Sequence, residues 1–492
     1  MQKAGTVTGT VRRGDPLYAQ LAADFRRQID GGVLRAGDKL PSIRALRRGR
    51  RVSAATVMEA YLRLERDGYV RARDRSGFYV TQPVSSALPQ PRVAGALVPP
   101  VPVGISVLAA EVLRQTGDRK IVPFGVSTLG PSFLPVPRLN RAFRRAIARH
   151  PLHSARYTGP RGYLSLRRQI ARRTIAAGTA CDPDDIVITS GGMDGLNLAL
   201  RAVAEPGDVV AVESPTYFGV LQAIESAHLR AIEVPADPRA GIDLDLLDRA
   251  IRRHRVKAVL AMTTCQNPQG TVMSDAAKAD LVALTARHDL PLVEDGVYAE
   301  LVYDETMRRP AKAFDRKGLV LFCGSFSKVI APGLRVGWME TGRFRDRIEA
   351  LKGITSLSTT SLPQLAVAEL LESGFYDRYI KRIRLICADQ VSRYTQALTA
   401  AMPPGTRMTR PAGGNLLWVQ LPKGLDGTDL YARLLDLGIG IFPGEIFSLG
   451  TRHQGFVRIG CGLPWSPAVE RAIGVIGRAC HDLGRSRAVA SA

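Results

Sequence analysis

Lys328 closes the run Gly324-Ser325-Phe326-Ser327-Lys328, which follows an apolar stretch over 319–323 and precedes Pro332-Gly333-Leu334-Arg335. A lysine so placed can form a Schiff base with an aldehyde cofactor, while the hydroxyls of Ser325 and Ser327 and the guanidinium of Arg335 grip that cofactor's phosphate. Lysines at strand ends are usually solvated charges, so the assignment rests on the residues that accompany this one. Upstream, Pro291-Leu292-Val293-Glu294-Asp295-Gly296-Val297-Tyr298 reads as a buried strand ending in an acid and then a phenol. Asp295 can hold a pyridine nitrogen protonated, and Tyr298 can hydrogen-bond the ring hydroxyl. Further upstream, the apolar strand over 258–262 leads into Gln266-Asn267-Pro268-Gln269-Gly270, where the Asn267 amide can donate to the same ring oxygen. Singly, these residues have ordinary explanations as a helix cap, a turn residue and core. In this order, each at a strand end, they make pyridoxal 5'-phosphate (PLP) the expected cofactor, bound through Lys328.

The N-terminus has a different character. Residues 1–83 carry 17 Lys and Arg against 8 Asp and Glu, a surplus of nine within a chain of net charge +23, which suits a polyanionic partner. Leu17, Leu21, Phe25 and Ile29 form the apolar stripe of a first helix ending at Gly31-Gly32. Ser42 caps a second helix, and Val52-Ser53 turns into a third over 54–67. Segments 68–72 and 78–80 alternate as two short strands around the turn 73–77. The pattern is a winged helix-turn-helix. It resembles the GntR-type module through Leu-Pro-Ser-x-Arg at 40–44, Val-Ser-x-x-Thr-Val at 52–57, Ala60-Tyr61-x-x-Leu64-Glu65 and Ser76-Gly77-Phe78-Tyr79-Val80. Arg50 and Arg51 stand where that family has an apolar residue and a turn glycine, and Ala54 where an arginine often touches DNA. The candidates for contact with duplex DNA are therefore Arg44 and Thr56 at helix starts, Arg47, Arg48, Arg50 and Arg51 along the turn, and Arg71, Arg73 and Arg75 on the wing.

From about residue 104 to 484 the chain resembles a fold-type-I aminotransferase. Thr189-Ser190-Gly191-Gly192-Met193-Asp194-Gly195 is similar to the family's phosphate cup, a glycine turn opening a helix whose free amides and dipole receive an anion. That family usually has glutamine at the position of Asp194, so only the backbone donors of Gly192 and Met193 carry over. By the same resemblance Tyr217 stacks on the cofactor ring. Arg335 is the phosphate arginine, with Ser325 as a second ligand. Arg458, in Phe456-Val457-Arg458-Ile459-Gly460, forks onto an amino-acid carboxylate beside Asn267. Tyr157 reaches the site from a partner subunit, which implies a homodimer with composite sites.

A GntR-type module joined to such a domain is the layout of the MocR group of bacterial transcription regulators. The expected architecture is α/β. A winged helix-turn-helix over 12–83 leads through a Pro-rich, semi-extended linker over 84–103 to an aminotransferase-like domain over 104–484. That domain has a mixed, mostly parallel sheet flanked by helices and a smaller C-terminal α/β subdomain. Six cysteines without C-x-x-C or metal spacing suggest inert thiols in a reducing compartment and no metal site. No apolar run approaches the roughly 20 residues that span a bilayer, and the first fifteen residues lack a signal pattern, so a cytoplasmic location is expected. The expected function is a PLP-dependent regulator that binds double-stranded DNA and responds to an amino acid, an amine or PLP itself. The alternative is a working aminotransferase with an accessory basic N-terminus, since Lys328, Asp295 and Arg458 are also what transamination needs.

Overall fold

Helix formation at the N-terminus follows the local sequence. The computed structural model describes residues 16–490 apart from 31–32, 36, 51, 67–68, 74–76, 81–87, 92–94, 116–119 and 180. It divides into a small N-terminal unit and a large unit that begins at Leu88. In the small unit, α1 (Leu17–Asp30), α2 (Ile43–Arg50) and α3 (Ala54–Arg66) appear in order. Ser42 Oγ accepts the Ala45 amide at 3.2 Å and Ser53 Oγ that of Thr56 at 3.0 Å, so α2 and α3 each begin on a serine cap. The inward stripe of α1 is Leu21, Ala22, Phe25 and Ile29, which pack with Leu40, Val57, Ala60, Tyr61 and Leu64. Leu17 is not part of it: at 61 % exposure it opens the helix ahead of the stripe. The buried Tyr61 satisfies its hydroxyl by donating to the Pro41 carbonyl at 2.7 Å.

The wing strands β1 (Val70–Arg73) and β2 (Gly77–Val80) pair antiparallel, Val70 opposite Val80 and Arg73 opposite Gly77. A third segment lies along β2. Leu40 N donates to Phe78 O and Val80 N to Asp38 O, with Lys39 bridging Tyr79. Its shortness and the proline that ends it hide this segment from a pattern of alternation.

In the large unit the strands are almost wholly buried and rich in apolar residues, because elements cover the sheet on both faces. These strands are β3 (Ile186–Thr189), β4 (Val209–Ser214), β5 (Arg230–Asp237), β6 (Val256–Ala261), β7 (Leu292–Asp295), β8 (Val320–Ser325) and β9 (Gly337–Glu340). With Val101–Pro102 at the edge and Gly241–Ile242 on β5, they form a nine-stranded sheet in the order edge, β5, β4, β6, β7, β8, β9, β3. Strands β4 to β8 are mutually parallel, and β9 is antiparallel to both its neighbours. Two reversals return β3 to the common direction. The C-terminal ends of β3, β4, β6, β7 and β8 therefore share one edge with the start of β9, the edge where open α/β sheets bind ligands. A four-stranded antiparallel sheet built on Leu416–Gln420 and Phe456–Gly460 forms the C-terminal subdomain.

The described residues of the linker do not form a free tether. Pro89 O accepts from Met408 N at 2.9 Å, Gln90 O from Arg407 Nη1 at 3.2 Å and Pro100 O from Arg230 Nη2 at 2.8 Å. Val101–Pro102 pairs with β5. Proline is tolerated there because an edge strand needs no donor on its outer side.

Candidate functional site

Lys328 follows β8 and is half-buried, with Nζ 3.1 Å from Ser127 Oγ and 5.3 Å from the centre of the Tyr298 ring. Burial pushes its ammonium below the ordinary lysine value, and the charges of Arg458 and Arg335 add to that. More of the free amine is then present near neutrality, as a nucleophile requires. Tyr298 is buried and donates to the Ser127 carbonyl at 3.2 Å. Asp295, at the end of β7, is 1 % exposed and accepts the Val297 amide at 3.1 Å. Burial raises its carboxyl to about 6, leaving a buried acid whose charged form awaits a cation.

Arg458 is buried on its strand, where Nη1 donates to Asn267 Oδ1 at 2.8 Å and Nη2 to Gly125 O. The rings of Phe442 and Phe447 lie 4.6 and 5.0 Å from its guanidinium carbon. Burial lowers it to about 10. Its Nε has no partner, and among the described residues no carboxylate pairs with it. Neutral oxygens compensate a buried guanidinium only partly, so this is a cation suited to a ligand carboxylate.

The opposite end of the site is built for an anion. Gly191 caps α4 (Gly192–Val203) at φ 88°, a left-handed conformation that glycine adopts freely. A Cβ there would lie 2.4 Å from Arg335 Nη2. Arg335 donates through Nη2 to Ser190 O at 2.9 Å and through Nη1 to Ser327 Oγ at 3.3 Å, and Ser327 Oγ meets Ser325 Oγ at 3.0 Å. Two hydroxyls, a guanidinium and the first amides of α4, those of Gly192 and Met193 among them, therefore converge as a phosphate requires. Tyr217 caps α5 (Phe218–Ser226), and its ring lies against the face of Gly219, where a Cβ would stand 2.5 Å from it. Taken together, the arrangement offers a buried amine between an acid on one side and an anion cradle on the other, which fits the donor and acceptor set of PLP.

Lys328, Asp295, Asn267, Tyr298, Ser325, Ser327, Arg335 and Arg458 thus come together at one sheet edge. Tyr157 does not join them within the chain; it is 81 % exposed. Ser127 and Gly125 are partners that the sequence reading missed, because the segment carrying them has no motif. The Asp194 side chain also takes part, accepting the Ser190 amide at 2.8 Å.

On the small unit, Arg44, Arg47, Arg48 and Arg50 are exposed on α2, and Arg50 stands 3.6 Å from Asp24. The Thr56 hydroxyl is engaged by Ser53 Oγ at 2.8 Å, which ties it to the cap. Arg71 is exposed on β1. Arg51 and Arg75 lie outside the described residues, as does the side chain of Arg73. The exposed residues at the start of α3 are Ala54, Ala55, Met58 and Glu59, so the cations flank this helix instead of lining its first turns.

Comparison with known proteins agrees with this layout. Residues 121–476 match the family described as aminotransferase class I and II, and residues 17–80 the gntR family of bacterial regulatory proteins. The chain is 38 % identical to the uncharacterized HTH-type transcriptional regulator YdcR of Escherichia coli over 94 % of this chain and 99 % of that one. It is 30 % identical to aromatic-amino-acid aminotransferase 1 of Thermococcus litoralis over 68 % of this chain and 82 % of that one. Among solved structures it is similar to LysN, the α-aminoadipate aminotransferase of Thermus thermophilus, complexed with N-(5'-phosphopyridoxyl)-L-leucine. The TM-score is 0.70 at 26 % identity, covering 77 % of this chain and 99 % of that one.

Proposed function

The chain belongs to the class I and II aminotransferase family and carries a GntR-family DNA-binding module ahead of that domain, and on this premise we propose a PLP-dependent transcriptional regulator that senses an amino compound or PLP itself. The observation that carries the reading is the conjunction in one chain of a winged helix-turn-helix and a filled set of cofactor positions. A relative aligned over nearly its whole length is named a transcriptional regulator. PLP, when bound, supplies a carbonyl for which amines compete and a ring that draws electrons. Lys328 holds it, Asp295 neutralises the ring nitrogen, and Asn267 and Tyr298 orient the ring oxygen. Tyr217 stacks on the ring, and Arg335, Ser325, Ser327 and the α4 amides take the phosphate. Arg458, held by Asn267, receives the effector's carboxylate. Tyr157, exposed on a single chain, completes the site of a partner in a homodimer. The arginines of α2 and the wing hold the DNA backbone and position the module. Among the described residues no helix is long and apolar enough to cross a membrane.

The test is the affinity of the apo chain for its operator, measured alone, with PLP, and with PLP plus candidate amines. The expected result is a shift of at least roughly threefold on adding PLP or an amine, since a ligand moves an equilibrium only by its differential affinity. A second reading is favoured by the similarity to a named aminotransferase and by the completeness of the set at the sheet edge. If DNA affinity stays constant while an amino acid and a keto acid are turned over rapidly, that reading takes the place of the first.

Asp295 makes the cofactor's affinity depend on pH. Below about 6 the apo carboxyl is protonated, so pairing with a cationic ring nitrogen first requires loss of that proton. The contribution of Asp295 to PLP affinity is therefore expected to rise with pH up to about 6 and then level off. Asp295→Asn should bind more weakly and lose the part of the profile that belongs to this residue, leaving the titrations of the phosphate and of Lys328. A profile unchanged by the substitution counts against the role given to Asp295.

A further inference from the structure

The first turn of α4 contains a charge that an anion site does not call for. Asp194 lies three residues beyond the capping Gly191, and its Oδ2 accepts the Ser190 amide at 2.8 Å. The carbonyl of the same Ser190 accepts from Arg335 at 2.9 Å. The turn is thereby fixed at both backbone polar groups of one residue. A carboxylate in a first turn suits the helix dipole while no anion is bound, but once a phosphate arrives the two anions repel within one turn of helix.

A buried lysine stands behind this carboxylate. α6 (Arg345–Thr355) packs along α4 and carries Lys352, whose side chain is 0 % exposed. Lys352 Nζ lies 3.6 Å from Asp194 Oδ2 and 3.3 Å from Ser356 Oγ, and among the described residues Asp194 is its one acidic partner. Burial pulls this ammonium below its usual value, while Asp194 acts to keep it charged. Packing alone does not account for it, because an apolar chain of the same length fills the space without desolvating an ion.

We propose that Lys352 is the charge-balancing residue of the anion cradle: it neutralises Asp194, so that Asp194 can fix Ser190 without opposing the entry of a phosphate. Lys352 touches no bound group itself and acts through Asp194. The inference rests on the reading of this edge as a PLP site, and it concerns only the phosphate end.

The test compares apo wild type, K352M, D194N and K352M/D194N by spectroscopic titration with PLP and, separately, with pyridoxal, which has no phosphate. K352M is expected to bind PLP roughly tenfold more weakly, because it leaves a partly buried carboxylate unbalanced beside the phosphate. The double variant is expected to return to within about threefold of wild type, since the repelling charge has gone with its counter-charge. D194N alone should bind at least as well as wild type, and pyridoxal should bind all four proteins alike. A purely structural role would weaken pyridoxal in proportion and would not be rescued by the second substitution. Apo melting temperatures keep folding defects apart from loss of affinity, and K352Q replaces K352M if the latter does not fold. K352M binding PLP as wild type does, or a double variant without recovery, overturns the proposal while leaving the cofactor reading standing. A folded wild type that takes up neither PLP nor pyridoxal overturns both.

Discussion

Lys328→Ala is expected to leave a folded chain that takes up PLP without retaining it. Borohydride reduction of the PLP-treated wild type should fix the cofactor to the peptide containing Lys328; in the variant it should label no peptide. Other buried lysines already have strong partners: Lys278 donates to the carbonyls of Met307 and Arg309, Lys312 pairs with Asp315, and Lys352 faces Asp194. Lys328 has one hydroxyl and the face of a phenol ring, and burial makes its amine lose its proton more readily than usual. Without the covalent tie the cradle at α4 and Asp295 still hold the ligand at its two ends. Affinity should then fall on the order of a hundredfold, about 2.7 kcal/mol, instead of vanishing. The apo variant should melt near wild type, because the substitution removes a desolvated ammonium and no hydrogen bond stronger than that to Ser127. Modification of a different lysine in the wild type would sink the assignment.

What could be read in the sequence here follows from where chemistry constrains residue type. Asp295 ends a strand and Lys328 and Asn267 follow strands that are almost wholly buried and mostly apolar, and a parallel strand buried on both faces announces itself by composition. Their spacing along the chain then fixed the order of site elements before the order of strands was known. The capped helices of the small unit were legible for the same local reason, since a serine ahead of an apolar stripe states where a helix begins. What escaped was carried by the backbone or by distance. Ser127 meets Lys328 across 201 positions of sequence, and Gly125 offers Arg458 only a carbonyl, which any residue has. The linker is held through the carbonyls of Pro89, Gln90 and Pro100, so its proline content, which forbade a helix and agrees with its described residues, could not tell a tether from a docked strap. Asp194 reads as a departure from a family pattern until Lys352, from a separate helix, supplies its counter-charge.

Arg458→Ala is expected to shift the response of DNA affinity to amino acids to roughly ten- to a hundredfold higher concentration, while the response to PLP changes little. The guanidinium is fully buried between two aromatic rings, satisfied by two neutral oxygens and open at Nε, so an incoming α-carboxylate supplies the missing anion in a dry site. A charge-assisted, bidentate contact of this kind contributes about 1.5–3 kcal/mol, or roughly ten- to a hundredfold in effector affinity. The substitution also frees Asn267 Oδ1, and the ring oxygen of PLP loses a well-oriented neighbour; a small drop in PLP affinity should therefore accompany the larger loss toward amino acids. The decisive comparison is between an amino acid and the corresponding amine lacking the carboxylate. In the wild type the amino acid should act at a far lower concentration, and in Arg458→Ala the two should become nearly equal. A tenfold change of operator affinity needs about 1.4 kcal/mol of coupling, well within what this one contact can differ by between two arrangements of the domain. If the variant still prefers the amino acid as strongly as the wild type, the carboxylate is bound elsewhere and Arg458 serves only the packing of its strand.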